Sequence, residues 1–214
     1  MEQPESAPQL SEQWFAARLG CVTASRMGDL MAKTKSGYGA SRENYMAELI
    51  AERLTGTRQE RFENAAMKWG VETEAQARIA YEFLQDVTVE QAGFIPHPAL
   101  TYAGASPDGL VGAEGLVEIK CPNTAMHIDT LLSSTIAAKY VYQMQWQMAC
   151  TGRKWCDFFS FDPRMPASMQ VFQKRVSRDP ALIDELEREV RTFLEELARK
   201  VMALTAKYET AQAA

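Results

Sequence analysis

Two histidines, His97 and His127, are all the imidazole in this 214-residue chain, and none of its four cysteines forms a C-x-x-C pair. Cys21, Cys121, Cys150 and Cys156 therefore read as reduced, mostly buried thiols, and a structural zinc site is not expected. No apolar run approaches the ~20 residues needed to cross a bilayer, so no membrane partner is expected. The first residues, Met1-Glu2-Gln3-Pro4-Glu5, are acidic and lack an apolar h-region. A signal peptide is thus not expected, and the cytoplasm is the expected location. Internal repeats and low-complexity tracts are missing too. Net positive charge is also lacking: the formal charge is −5 and the pI about 5.2. Such a chain does not coat nucleic acid with its whole surface. A DNA partner would have to meet a concentrated basic patch, because phosphate neutralisation supplies most of the affinity.

What is present suits one domain with a real core: 46% of residues are apolar and 24% charged. Residues 1–10 read as a disordered lead and 11–214 as a single domain. Ser11 is placed to cap a first helix through Trp14 and Arg18, which Gly20 ends. A second helix is expected over Arg26–Ala32. A basic, glycine-bearing loop follows over Lys33–Gly39, then a helix capped by Ser41 and running to Leu54. A fourth helix is expected over Ala65–Leu84. Strands are expected at Val87–Val89, Gly93–Ile95 and Tyr102–Ala105, then a hairpin over Asp108–Lys120. Residues 125–151 read as helical with a break near Ser133-Ser134-Thr135. Two strands follow, Cys156–Phe161 and Met169–Val176. Asp179-Pro180 starts a last helix, about 180–208, whose apolar stripe runs from Ile183 to Leu204 at spacings of three and four. The order predicts an α/β (α+β) fold, a mixed central β-sheet flanked by helices.

Chemistry concentrates in the hairpin. Pro107-Asp108 is followed, nine residues later, by Glu118-Ile119-Lys120. Ser106-Pro107-Asp108-Gly109 reads as a turn, and Gly112-Ala113-Glu114-Gly115 reverses the chain. The returning strand has period 2, so Glu118 and Lys120 share one face, and Val117 and Ile119 the other. The hairpin brings Glu118 back toward Asp108. Two carboxylates so close repel unless a cation lies between them. Mg²⁺ with oxygen ligands meets that need, and the Ile119 carbonyl can add an oxygen. The spacing is common by itself and an exposed turn would also explain it. The apolar flank of Ala105, Val117, Ile119 and Cys121-Pro122 argues for a buried sheet, where charges rarely stand without a task.

Four weaker groups accompany it. Glu74 lies four residues after Gly70 on a helix, where the missing side chain leaves room for an ion or phosphate; a solvated glutamate is the plainer account. Gln143, Gln145 and Gln147 alternate with bulky apolar residues. Positions 143 and 147 share a helical face, so at least one can reach an active site, or the set is a plain amphipathic face. Arg18, Thr23, Ser25 and Ser106 can form a phosphate pocket at a helix N-terminus, or are ordinary capping residues. Lys33, Lys35 and Arg42 can follow a DNA backbone, or sit on a solvated loop.

Read in order, six blocks resemble the bacteriophage lambda exonuclease family, the YqaJ-type viral recombinases of the PD-(D/E)xK nuclease superfamily. They are Trp14-Phe15-Ala16-Ala17-Arg18-Leu19-Gly20 with Thr23-Ala24-Ser25; Trp69-Gly70-Val71-Glu72-Thr73-Glu74; Ser106-Pro107-Asp108-Gly109-Leu110; Glu118-Ile119-Lys120-Cys121-Pro122; Tyr140 to Gln147; and Phe161-Asp162-Pro163-Arg164-Met165. The resemblance implies a restriction-endonuclease-like core and a Mg²⁺-dependent exonuclease. It would digest one strand of linear duplex DNA from its 5′ end to mononucleotides, leaving 3′ overhangs for recombination by strand annealing. It also implies two Mg²⁺ ions with Mn²⁺ able to substitute, a homotrimeric ring, a phage single-strand annealing partner and a bacterial host. By position, Asp108, Glu118 and Glu74 would hold metal, and Lys120 would position or deprotonate water. Arg18, Ser25, Ser106 and Gln143 would hold the terminal 5′-phosphate, with Trp14 against the end nucleotide. An endonuclease or junction resolvase of the same superfamily, or a non-catalytic DNA-binding protein, are the competing readings.

Overall fold

The computed structural model describes residues 7–35, 37–59 and 65–208. Helix α1 (Glu12–Arg18) begins as the sequence requires: Ser11 Oγ accepts from Trp14 N at 3.2 Å. The lead is not detached throughout. The amide of Gln9 donates to the carbonyls of Ala92 and Pro107, both at 2.9 Å. Residues 1–6 lie outside the described set.

After β1 (Val22–Thr23), a 3-10 turn over Ala24–Arg26 leads into a four-residue α2 (Met27–Leu30). The second helix is therefore shorter than the expected span Arg26–Ala32. The basic loop is a small ribbon, β2 (Lys33–Thr34) against β3 (Gly37–Tyr38). Helix α3 (Ala40–Thr55) is preceded by Gly39, with no side-chain cap, so Ser41 is not the cap. It ends at Gly56, whose φ of +65° favours a residue without Cβ. Helix α4 (Ala65–Gln85) follows.

The short strands β4 (Val89–Glu90), β5 (Ile95–Pro96) and β6 (Ala103–Ala105) lie one or two residues later than expected. The hairpin is β7 (Gly109–Val111) and β8 (Gly115–Lys120). Helices α5 (Thr124–Ser133) and α6 (Ala138–Thr151) are separated where the serine-threonine run lies. Strands β9 (Trp155–Phe161) and β10 (Val171–Ser177) precede α7 (Pro180–Tyr208). Asp179 Oδ1 accepts from Leu182 N at 3.1 Å, the expected cap.

The main sheet has the order β10-β9-β8-β7-β4, with β8 and β9 parallel and the other pairs antiparallel. A second sheet, β1-β6-β5, lies beside it. The fold is the expected mixed sheet flanked by helices. Alternation along β8 divides the core in two. Leu116 joins Met144, Trp146, Phe158 and the α7 stripe from Ile183 to Leu197. Val117 and Ile119 face Ala77 and Tyr81 of α4. Tyr81 also donates to the buried Asp157 at 2.8 Å, where Arg175 completes a bidentate ion pair. Helix α4 is thus fixed on one face of the sheet and α6 on the other.

Candidate active site

The hairpin geometry begins with what its residues lack. A Cβ on Gly109 would lie 2.1 Å from Val89 Cγ1, so only glycine allows β4 to close on β7. Gly109 pairs with Val117, and continuing that register sets Pro107 across from Ile119. Proline has no N–H to give, so the ladder ends there and the Ile119 carbonyl receives no partner from β7. The Ile119 N–H, on the same edge, donates instead to Asp108 Oδ2 at 2.8 Å. This contact fixes the Asp108 carboxylate beside the strand and leaves Oδ1 without a hydrogen bond among the described residues.

Glu118 is fully buried and held by three donors. Gln143 Nε2 gives to Oε1 and Gln147 Nε2 to Oε2, both at 2.6 Å. Lys120 pairs with Oε1 from along the strand, keeping about a quarter of its side chain exposed. Burial raises the Asp108 carboxyl well above the ordinary aspartate range, and the neighbouring Glu118 charge raises it further. Burial alone would lower the Lys120 amine, but Glu118 and Asp108 outweigh it and raise it. Lys120 is therefore an ammonium at neutral pH: it can orient a water but not take its proton until that balance changes.

Glu74, on α4, carries charge that acts on Asp108 and on the buried Cys121 thiol, which burial and then Glu74 push up to about 12. One of its oxygens accepts from Arg78 at 3.2 Å. Among the described residues an added Cβ at Gly70 would meet only the Cys121 carbonyl, at an ordinary 3.9 Å, so the missing side chain leaves room there, as expected. Among the described residues no three His, Cys, Asp or Glu side chains form a ready-made cation cage. Mg²⁺ does not need one: one or two carboxylates, waters and a substrate phosphate suffice. Asp108 Oδ1, the unladdered Ile119 carbonyl and Glu118 fit that modest donor set.

Of the phosphate candidates, Trp14 and Arg18 meet at Ser106, two residues before Asp108. Its hydroxyl accepts from Trp14 Nε1 at 3.0 Å and from Arg18 Nη1 at 2.8 Å. The Arg18 guanidinium stacks 4.1 Å from the Trp14 ring centre. Thr23 Oγ1 lies 3.5 Å from Ser25 Oγ. Thr23 is buried and precedes a 3-10 turn, and the exposed Ser25 lies within that turn rather than at a regular helical N-terminus. A cavity of about 190 Å³ opens beside these residues, lined by Trp14, Arg18, Thr23, Tyr45, Glu52 and Arg58.

The model of the YqaJ-like viral recombinase domain matches residues 13–154, the stretch holding every group just described. The chain belongs to the YqaJ-like viral recombinase family. An alkaline exonuclease from Laribacter hongkongensis, LHK-Exo, is 52% identical, with a TM-score of 0.88 over 95% of this chain and 100% of that one. The same exonuclease in complex with dAMP gives 0.89 over the same shares. A phage-related exonuclease from Haemophilus somnus 129PT, 16% identical, has the same fold: TM-score 0.71 over 86% of this chain and 96% of that one. No curated protein sequence matched. A nuclease role follows from this membership.

In this YqaJ chain one expectation needs correction. Arg42 does not face a DNA backbone. Its guanidinium is buried, 3.8 Å from the Tyr38 ring centre and 5.0 Å from that of Phe193, and pairs with Glu196 at 3.1 Å. Lys33 reaches Glu189 at 2.8 Å, while Lys35 stays exposed. Gln143, expected at the end phosphate, donates here to Glu118, and α6 packs against the Ala24–Arg26 turn that carries Ser25. Sequence reasoning left out Gln147 and Arg58 as site residues. The shared face of 143 and 147 was the available signal for the first. Arg58, 4.1 Å over the Phe15 ring, had none.

Proposed function

We propose that this YqaJ-family chain is a Mg²⁺-dependent exonuclease acting on linear double-stranded DNA. It removes mononucleotides from the 5′ end of one strand and leaves a 3′ overhang for strand annealing. The observation that carries the reading is the link from Trp14 and Arg18 through Ser106 to Asp108, which sets an anion pocket next to a paired carboxylate site. LHK-Exo, an alkaline exonuclease also crystallised with the deoxynucleotide dAMP, supports the same substrate class.

Arg18 and the Ser106 hydroxyl bind a terminal 5′-phosphate by charge-assisted hydrogen bonds. Trp14 offers an aromatic surface to the end nucleotide. Asp108, Glu118 and the Ile119 carbonyl hold Mg²⁺, with Glu74 as an outer contributor; Mn²⁺ is an acceptable substitute. Bound Mg²⁺ supplies a water of lowered pKa and neutralises the leaving 3′-oxygen, with two ions sharing those tasks. Lys120 orients the attacking water by its ammonium. The working form is a cytoplasmic homotrimer in a bacterial host, partnered by a phage single-strand annealing protein.

The test is a time course on end-labelled linear duplex with and without Mg²⁺, comparing 5′-phosphate with 5′-hydroxyl ends. Mononucleotide release that needs Mg²⁺ and slows at least tenfold on 5′-hydroxyl ends is expected. Equal cutting of covalently closed circles would mark an endonuclease instead, and no release at all a binding protein.

A further inference from the structure

We propose that Gln147 is a positioning residue for the cation site, acting through Glu118; the inference rests on the metal-dependent reading above. Helix α6 carries three glutamines, and they divide by face. Gln145 turns away: its amide donates to the Ser177 carbonyl at 2.8 Å, and its oxygen accepts from Asp179 N at 2.9 Å. That is a structural tie to the start of α7. Gln143 and Gln147, one helical turn apart, both point at Glu118.

Their duties differ. Gln143 and Lys120 share one oxygen, Oε1; the family resemblance assigns Gln143 to the end phosphate, and the nuclease reading assigns Lys120 to the water. Gln147 alone donates to Oε2, among the described residues. When the other two donors turn to substrate, Gln147 is what keeps the buried carboxylate aligned. Packing does not account for this amide. Gln147 has no exposed surface, and its side-chain oxygen finds only the Cys156 thiol among the described residues, at 3.9 Å. An apolar side chain of similar length would fill the space without burying a poorly matched carbonyl. A carboxylate that must face a cation needs a fixed outer donor, as metal ligands generally do.

The experiment measures Mn²⁺ binding to DNA-free protein by calorimetry, with thermal melts, for wild type, Gln147→Met and Gln145→Met. Methionine keeps length and flexibility but donates nothing. Gln147→Met is expected to bind Mn²⁺ at least tenfold more weakly, and to need correspondingly more Mn²⁺ for half-maximal nuclease activity. Gln145→Met is expected to melt lower yet bind Mn²⁺ within twofold of wild type. Should Gln147→Met not fold, Gln147→Asn, whose amide is one methylene short of Glu118, is measured in its place with the same tenfold expectation. A Gln147 variant that melts lower but binds Mn²⁺ like wild type makes the residue merely structural and overturns the proposal. A wild type that binds no Mn²⁺ overturns the metal-dependent reading itself, so the two failures are distinct.

Discussion

Asp108 shows how a single side chain trades stability for function. Its carboxyl is raised by burial and by Glu118, so the folded state holds its proton to a higher pH than the unfolded chain does. Below the unfolded value of about 3.8 the group is protonated in both states and the shift has no effect. As pH rises through that value toward the folded one, the unfolded chain gives up its proton first, and metal-free stability falls. Asn in place of Asp108 keeps an oxygen for the Ile119 N–H and removes the charge. Metal-free Asp108→Asn should therefore melt above wild type at pH 8, by roughly 2–4 °C for about 1 kcal/mol in a chain of this size. The difference should vanish near pH 3.5, while nuclease activity is lost. Melting curves at the two pH values check this; a variant less stable at pH 8 would mean that Asp108 is there for the fold.

At the scale of elements, local chemistry was legible and distant contact was not. The Ser11 cap, the Asp179-Pro180 start, the break at Ser133-Ser134-Thr135 and the Asp108–Lys120 hairpin are each set by residues within a turn of one another. The two carboxylates and the amine of the site lie on that one hairpin, so their meeting was readable as well. Arg42 was misjudged because its partners are remote: Glu196 and Phe193 come from α7, some 150 positions away. Gln147 was half visible, on the right helical face but without any sign that Glu118 would be buried under it. Arg42, buried on α3, and Lys35, exposed between β2 and β3, have separable roles. Arg42→Ala should lose about 1–3 kcal/mol of stability through lost packing, and leave the salt dependence of DNA binding unchanged. Lys35→Ala should leave the melt unchanged and lower the salt slope by about 1, as loss of one phosphate contact does. Duplex binding with Ca²⁺ in place of Mg²⁺, titrated over salt, measures both slopes.

At the scale of the molecule, charge and processivity pose one problem. A chain with net charge −5 repels DNA at long range, yet an exonuclease must hold its substrate through many cycles. Strong contact at the end pocket cannot do this, because each product must leave. Enclosure can: a closed ring keeps the duplex by topology, and cyclic symmetry lets identical contacts close. In the proposed ring, an acidic exterior would confine favourable phosphate contacts to the bore. The expected mass by light scattering is three times the 24.0 kDa chain, unchanged by salt concentrations that weaken DNA binding. Dilution below the point where that mass falls should turn long processive runs into short distributive ones, while each remaining cut still requires Mg²⁺ and a 5′-phosphate. A particle of single-chain mass that digests processively at micromolar concentration would remove the ring from the account, and the source of persistence would have to lie within one subunit.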